Sequence, residues 1–68
     1  MAETAFATLQ RKQIEATVGE LLLTDDFYMR LEITERLRHL IAHADPTLDR
    51  SQLSEGAQEE LEELDLLH

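Results

Sequence analysis

Apolar residues recur along the first third of the chain at helical spacings. One stripe between about residues 3 and 23 consists of Ala7, Ile14, Val18 and Leu21. A second stripe recurs every seven residues and consists of Ala2, Leu9, Ala16 and Leu23. Apolar positions three, four and seven residues apart lie on one face of a helix. The pattern therefore predicts a first helix, over about residues 3 to 23, with two apolar faces.

The segment after residue 23 predicts the start of a second helix, which we expect to cover about residues 25 to 44. Thr24 is expected to cap it, with Asp25 and Asp26 at its positive end. Leu23 and Tyr28 fall at the two positions of a hydrophobic staple. Because neither glycine nor proline separates the two segments, the alternative is one continuous long helix.

The second helix is expected to face the core with a broad apolar stripe made of Met29, Ile33, Leu37, Leu40, Ile41 and Ala44. Phe27, Leu31 and Ala42 form a smaller apolar patch away from that stripe. Oppositely charged side chains four residues apart predict ion pairs on the solvent side, namely Asp26 with Arg30, Glu32 with Arg36 and Glu35 with His39. Asp45 precedes Pro46 and should end the helix.

A third, shorter helix is predicted over about residues 52 to 67. Its apolar face consists of Leu53, Ala57, Leu61, Leu64 and Leu67, and Ser51 and Ser54 are its candidate caps. No strand-like alternation is sustained anywhere in the chain. We therefore expect an all-α fold in a single domain over residues 1 to 68. The expected architecture is a three-helix bundle, in which a helical hairpin carries the short acidic third helix, and dimerisation is one way to complete its packing.

The composition limits how that bundle can be stabilised. The chain has 68 residues, a net charge of −9 and no cysteine. So small a core buries little surface, and stability must come from helix packing, a partner or self-association. No apolar run approaches the roughly 18 residues of a membrane span, so a cytoplasmic location is expected. The negative charge argues against direct binding of nucleic acid.

Negative charge is concentrated in the predicted third helix. Six carboxylates and no basic side chain follow Arg50. Glu59, Glu60, Glu62 and Glu63 crowd the middle and end of this helix, where the helix dipole disfavours them. Two interpretations stay open: a recognition surface for a basic partner, or a solvated face that keeps a small protein in solution.

One spacing is compatible with metal binding. Glu35, His39 and His43 are four residues apart and share one face of the second helix. A solvated face is the favoured interpretation, because no H-E-x-x-H signature and no compelling further ligand accompany them. No glycine-rich phosphate loop is present, and so small a core leaves little room for a catalytic pocket. We expect neither a cofactor nor an enzymatic activity.

The surplus of apolar surface favours a non-enzymatic protein interaction module, such as a small regulatory or adaptor subunit. The candidate interface residues are Leu9, Ala16, Leu23, Phe27 and Leu31. The expected partner is a protein, either a second copy or another subunit of a hetero-complex. The first alternative is an acidic inhibitor or nucleic-acid mimic that occupies the basic site of a nucleic-acid-binding protein through the third helix. The second alternative is a metal-binding helical protein.

Overall fold

The computed structural model describes residues 2–66, which form three α-helices and no strand. Helix α1 spans Ala5–Leu22, α2 spans Phe27–Ala42 and α3 spans Glu55–Glu63, and a 3₁₀ turn at Arg50–Gln52 precedes α3. The prediction of an all-α fold is confirmed. The most extensive contact is between α1 and α2, and α3 packs against α1 less extensively.

Helices α1 and α2 are separate, so the alternative of one continuous helix is wrong. The cap of α2 is Asp26, whose Oδ1 accepts a hydrogen bond of 2.9 Å from the backbone N–H of Met29. The prediction that Thr24 caps α2 is wrong, since its hydroxyl donates to the carbonyl oxygen of Glu20 at 2.7 Å. Thr24 therefore closes the end of α1, and α2 begins two residues later than predicted.

The connection between α1 and α2 is held by Arg30. Its guanidinium donates to the carbonyl oxygens of Leu21 at 2.8 Å and Thr24 at 2.9 Å. The Leu21 carbonyl belongs to the last turn of α1 and the Thr24 carbonyl to the connection after it, where backbone acceptors lack partners within a helix. Leu23 and Tyr28 are 87% and 79% exposed, so the expected hydrophobic staple does not form.

The core is built from nine buried apolar residues: Ala7, Ile14, Val18, Leu21, Ile33, Leu37, Leu53, Ala57 and Leu61. The predicted core positions of α1 are confirmed. The stripe on α2 is narrower than predicted, because Met29 is 48% exposed and Leu40 and Ile41 are only partly buried. At about 100° per residue, Met29 lies about 60° away from the midline between Ile33 and Leu37. The elements packed against α2 therefore bury only the narrow strip that contains Ile33 and Leu37, and Met29 lies outside it.

The end of α2 is tied to α1 by Gln10, which is 8% exposed. Its Nε2 donates to the carbonyl of His43 at 3.0 Å, and its Oε1 accepts from the N–H of Asp45 at 2.8 Å. The helix ends at Ala42 with His43 as the C-cap residue, two residues earlier than predicted. Both polar ends of the Gln10 amide are therefore satisfied near the core.

A second polar anchor joins Glu3 to the segment before α3. The Glu3 carboxylate accepts from the N–H of Asp49 at 2.8 Å and from Nε of Arg11 at 3.1 Å. The hydroxyl of Thr8 also donates to it, at 3.2 Å. The bond from Asp49 and the neighbouring Arg11 guanidinium lower the pKa of Glu3.

Helix α3 is capped at both ends by defined motifs. Ser54 is its N-cap, as predicted, and its Oγ accepts from the N–H of Ala57 at 3.2 Å. Ser51 does not cap a helix, because its N–H and Oγ both donate to Asp49. At the other end the N–H of Leu66 donates to the carbonyl of Leu61 at 2.8 Å, closing a Schellman motif. Leu67, a predicted member of the apolar face, lies outside the described residues.

Candidate protein-interaction surfaces

The three aromatic residues of the chain are all exposed. Phe6, Phe27 and Tyr28 have 60%, 67% and 79% of their surfaces exposed, and the chain contains no tryptophan. Aromatic side chains each offer about 150 to 250 Å² for burial and usually dominate the core of a small domain. Here the core consists of aliphatic side chains, and the aromatic surface is left free.

Two of these aromatic residues belong to one patch at the start of α2. The α2 patch consists of Phe27, Tyr28 and Leu31, the last of which is 50% exposed. The rings of Phe27 and Tyr28 meet edge to face, with their centroids 5.5 Å apart. The sequence predicted Phe27 and Leu31 as interface residues but assigned Tyr28 to a staple. Ala42 is exposed but lies about 16 Å further along the helix than Leu31, and so stands apart from the patch.

The surroundings of the α2 patch are acidic. Four carboxylates accompany it between residues 25 and 35, namely Asp25, Asp26, Glu32 and Glu35. The only basic side chain in that stretch is Arg30, whose guanidinium bonds to the carbonyls of Leu21 and Thr24. Arg38 lies 3.5 Å from Glu35 and compensates one carboxylate. The patch is therefore an apolar surface with a negative rim.

The second apolar stripe of the first helix, Ala2, Leu9, Ala16 and Leu23, is exposed along its length, and we name it the α1 seam. Leu9 is 54% exposed, Leu23 is 87% exposed, and Ala2 and Ala16 are also exposed. Phe6 is exposed on the same helix. The predicted separation of α1 into a buried stripe and a free stripe is therefore confirmed. No atom outside α1 would lie within 4 Å of a Cβ added at Gly19, so no close helix crossing requires this glycine within the chain.

The ion pairs differ from those that the spacing predicted. Within residues 2–66 the three pairs are Arg11 with Glu3, Arg36 with Glu20 and Arg38 with Glu35. The three predicted pairs four residues apart are not among them. Arg30 turns to the backbone of the connection, and Arg36 reaches across to α1 instead of along its own helix. These alternatives involve long-range geometry that helical spacing does not encode.

The outer face of α3 carries uncompensated negative charge. Glu59, Glu62 and Glu63 are exposed and Glu60 is partly exposed. None of the ion pairs among the described residues involves α3. The buried face of α3 is limited to Ala57 and Leu61. The helix thus combines a small apolar contact with a broad acidic surface.

Two histidines at the C-terminal end of α2, one in its last turn and one at its C-cap, lie close to each other. The ring centroids of His39 and His43 are 4.3 Å apart. Glu35, the third member of the predicted metal set, is instead beside Arg38. In the part of the chain that the structure describes, no three His, Cys, Asp or Glu side chains are grouped so as to hold a metal ion. A shallow depression lies elsewhere, lined by Pro46, Thr47, Leu48 and Asp49.

In comparisons with known proteins, no protein-family model, curated protein or solved structure matches the chain. None of the helices in residues 2–66 combines the length and the apolar character that crossing a bilayer requires. The function is therefore inferred from the exposed surfaces of the molecule.

Proposed function

We propose that this protein is a non-enzymatic interaction module, a small regulatory or adaptor subunit that docks on another protein through the α2 patch. The exposure of the aromatic side chains supports the proposal more than any other observation. Phe27 and Tyr28 are mostly exposed and adjoin Leu31, although the core of so small a domain would gain from burying them. Clustered aromatic anchors of this kind dominate the energetics of protein interfaces.

The charge around the α2 patch defines the partner that fits it. Asp25, Asp26 and Glu32 adjoin the residues of the patch along the chain, and Arg30 is engaged with backbone carbonyls. A second copy of the chain would bring the same negative rim against this one, and an anionic membrane would be repelled as well. The complementary occupant is a protein with an apolar cleft bordered by lysine or arginine.

The test begins with capture from an extract of the cells that make the protein. The immobilised wild type is compared with the Phe27→Ala/Leu31→Ala variant, and a captured protein that depends on the patch is purified. Titration calorimetry should then give at least about tenfold weaker binding for the variant, equivalent to about 1.4 kcal/mol. Binding should also weaken as the salt concentration rises, because the rim is charged.

Leu9→Ala is the matched control, since Leu9 is similarly exposed but lies on α1. Its affinity for the purified partner should be within about twofold of the wild-type affinity, a far smaller change than the one expected at an interface anchor. If no captured protein distinguishes the Phe27→Ala/Leu31→Ala variant from the wild type, the α2 patch is not a docking surface. Binding to anionic lipid vesicles in place of a protein would contradict the proposal too.

A second candidate function is that of an acidic inhibitor, for which the uncompensated face of α3 is the specific observation. The four glutamates Glu59, Glu60, Glu62 and Glu63 would occupy the basic site of a nucleic-acid-binding protein. Changing all four to glutamine should stabilise the isolated fold by reducing repulsion, yet slow association and flatten its salt dependence. If the variant associates with the partner at the same rate as the wild type, α3 is only a solvated face and this candidate function is wrong. Competition by DNA or RNA for the captured protein would favour this candidate over the first.

A further inference from the structure

The α1 seam has a symmetry that docking through the α2 patch does not use. Leu9 and Leu23 each lie seven residues from Ala16, on opposite sides of it. Lys12 and Glu20 likewise lie four residues to either side. The two leucines of the α1 seam are therefore placed symmetrically about Ala16, and the side chains of Lys12 and Glu20 on the same face carry opposite charges. This pattern suits a helix that pairs with an antiparallel copy of itself.

The charge balance of α1 also suits self-association. Within Ala5–Leu22 two basic and two acidic side chains balance, whereas the whole chain carries a charge of −9. Two copies that met through α3, with its five acidic and no basic side chains, would repel each other, whereas the neutral α1 adds no such net repulsion. Glu20 forms an exposed ion pair with Arg36, whereas Lys12 takes part in none of the ion pairs found within residues 2–66.

We propose that two copies of this chain pair through the α1 seam as an antiparallel dimer, with the twofold axis passing beside Ala16. Leu9 of each copy then lies at the level of Leu23 of the other, and Lys12 lies at the level of Glu20. The short side chain of Ala16 at the axis and the absent one at Gly19 beside it allow the two helices to approach closely. A parallel pair would bring Lys12 to the level of Lys12 and Glu20 to the level of Glu20.

This dimer uses a different surface from the α2 patch, so the two proposals can fail independently. The first measurement is the mass in solution by sedimentation equilibrium, over about 10 to 500 µM protein, because a small interface dimerises in a concentration-dependent way. The expected result is a shift from 7.8 kDa towards twice that value. Leu9→Glu/Leu23→Glu should remain monomeric throughout, with an unchanged circular dichroism spectrum, because both residues lie outside the core.

The matched control is Phe27→Glu/Leu31→Glu, which places two charges on the α2 patch and should leave the dimer intact. A wild type that stays at the monomer mass throughout the concentration range overturns the proposal. Loss of the dimer in the control variant, with retention in the seam variant, overturns it as well, because the interface would then lie on α2.

Cysteine cross-linking tests the antiparallel register, and the chain has no native cysteine to interfere. Ala16→Cys should form a disulfide between two identical copies, because the two residues face each other at the axis. Leu9→Cys alone and Leu23→Cys alone should not, since identical positions would lie about 21 Å apart along the helices. A mixture of the two variants should cross-link readily.

Each outcome of the cross-linking is decisive for the register. A mixed disulfide between Leu9→Cys and Leu23→Cys, without self-linked products, supports the antiparallel dimer. Efficient self-linking of Leu9→Cys indicates a parallel pair and overturns the register. A dimer in which none of these variants cross-links has its interface elsewhere and overturns the proposal. Binding of the purified α2-patch partner should be the same for the Leu9→Glu/Leu23→Glu monomer, which separates this result from the docking proposal.

Discussion

The carboxylate of Glu15 on α1 accepts two hydrogen bonds from Ser54, the N-cap of α3. One comes from the backbone N–H at 2.6 Å and the other from Oγ at 3.0 Å. Ser54 therefore caps α3 while being held by α1, and the negative charge of Glu15 lies beside the positive end of the α3 dipole. The Glu15 carboxylate thus adds a polar anchor to a helix whose own buried side chains are only Ala57 and Leu61.

Replacing Glu15 by alanine should lower the free energy of unfolding by about 1 kcal/mol, since it removes two hydrogen bonds and a favourable charge. Chemical denaturation measures the loss, and amide exchange should locate it in α3. The control is Glu32→Ala, which makes the same charge change at an exposed position that has no ion pair among the described residues. Equal effects of the two substitutions would contradict a specific role for Glu15.

Replacing Asp65 by glycine should stabilise the protein by about 1 kcal/mol. Asp65 has a φ of 59°, in the left-handed region that favours glycine at the end of a helix. Its negative charge also lies at the C-terminus of α3, where the dipole disfavours it. Thermal denaturation measures the gain. Asp65→Ala removes only the charge and retains the unfavourable backbone conformation. Its gain in stability should therefore be smaller than that of the glycine variant.

Replacing Gly19 by alanine should stabilise the protein by about 0.5 to 1 kcal/mol, the usual difference between these residues inside a helix. A Cβ at this position meets nothing within 4 Å. Urea denaturation at low micromolar concentration measures the change with little contribution from self-association. Ala16→Gly, on the same helix, should instead destabilise the protein. A destabilised Gly19→Ala variant would mean that something approaches this side of α1 closely.

The stability of the protein should depend on the ionisation of Glu3. Hydrogen bonding from Asp49 and the Arg11 guanidinium lower the pKa of this carboxyl below its ordinary value of 4.5. The stabilising contribution is therefore fully present above that value and is lost as the pH falls through the lowered pKa. Glu3→Gln should be less stable than the wild type at neutral pH.

That difference between Glu3→Gln and the wild type should shrink as the solution is acidified below about pH 4.5. Denaturation curves for both proteins at several pH values measure it. Glu32→Gln provides the comparison, since Glu32 is exposed and should give a much smaller difference. A Glu3→Gln deficit that stays constant down to about pH 2 would show that the Glu3 charge contributes nothing.

The helices and most of the core could be predicted because helical periodicity is a local property. Ile14, Val18, Leu37 and Leu61 are buried as their spacing indicates. The boundary at residues 24 to 26 is not fixed by local pattern, since Thr24 and Asp26 are both good capping residues and only the three-dimensional path of the chain selects between them. The exposure of Met29 depends on how much of the surface of α2 is covered by the elements packed against this helix. The spacing of apolar residues along the chain does not specify that coverage.

The polar contacts that hold the segment between α2 and α3 could not be predicted from the sequence. Gln10 bonds to Asp45, 35 residues away, and Glu3 bonds to Asp49, 46 residues away. No short motif marks such pairs. Of the candidate surface, Leu9, Leu23, Phe27 and Leu31 were identified because surplus apolar positions are visible in the sequence. Tyr28 was missed because its spacing from Leu23 fits a staple that the folded chain does not form.

The attachment of the last third of the chain to α1 has a consequence for the order of folding. The backbone N–H groups of Asp45, Asp49 and Ser54 each donate to a side chain near or on α1, those of Gln10, Glu3 and Glu15 respectively. These three bonds exist only after α1 has formed and aligned its acceptors. We therefore expect the α1–α2 hairpin, with its short loop, to form early, and the segment from residue 43 onwards to add to it last and detach from it first.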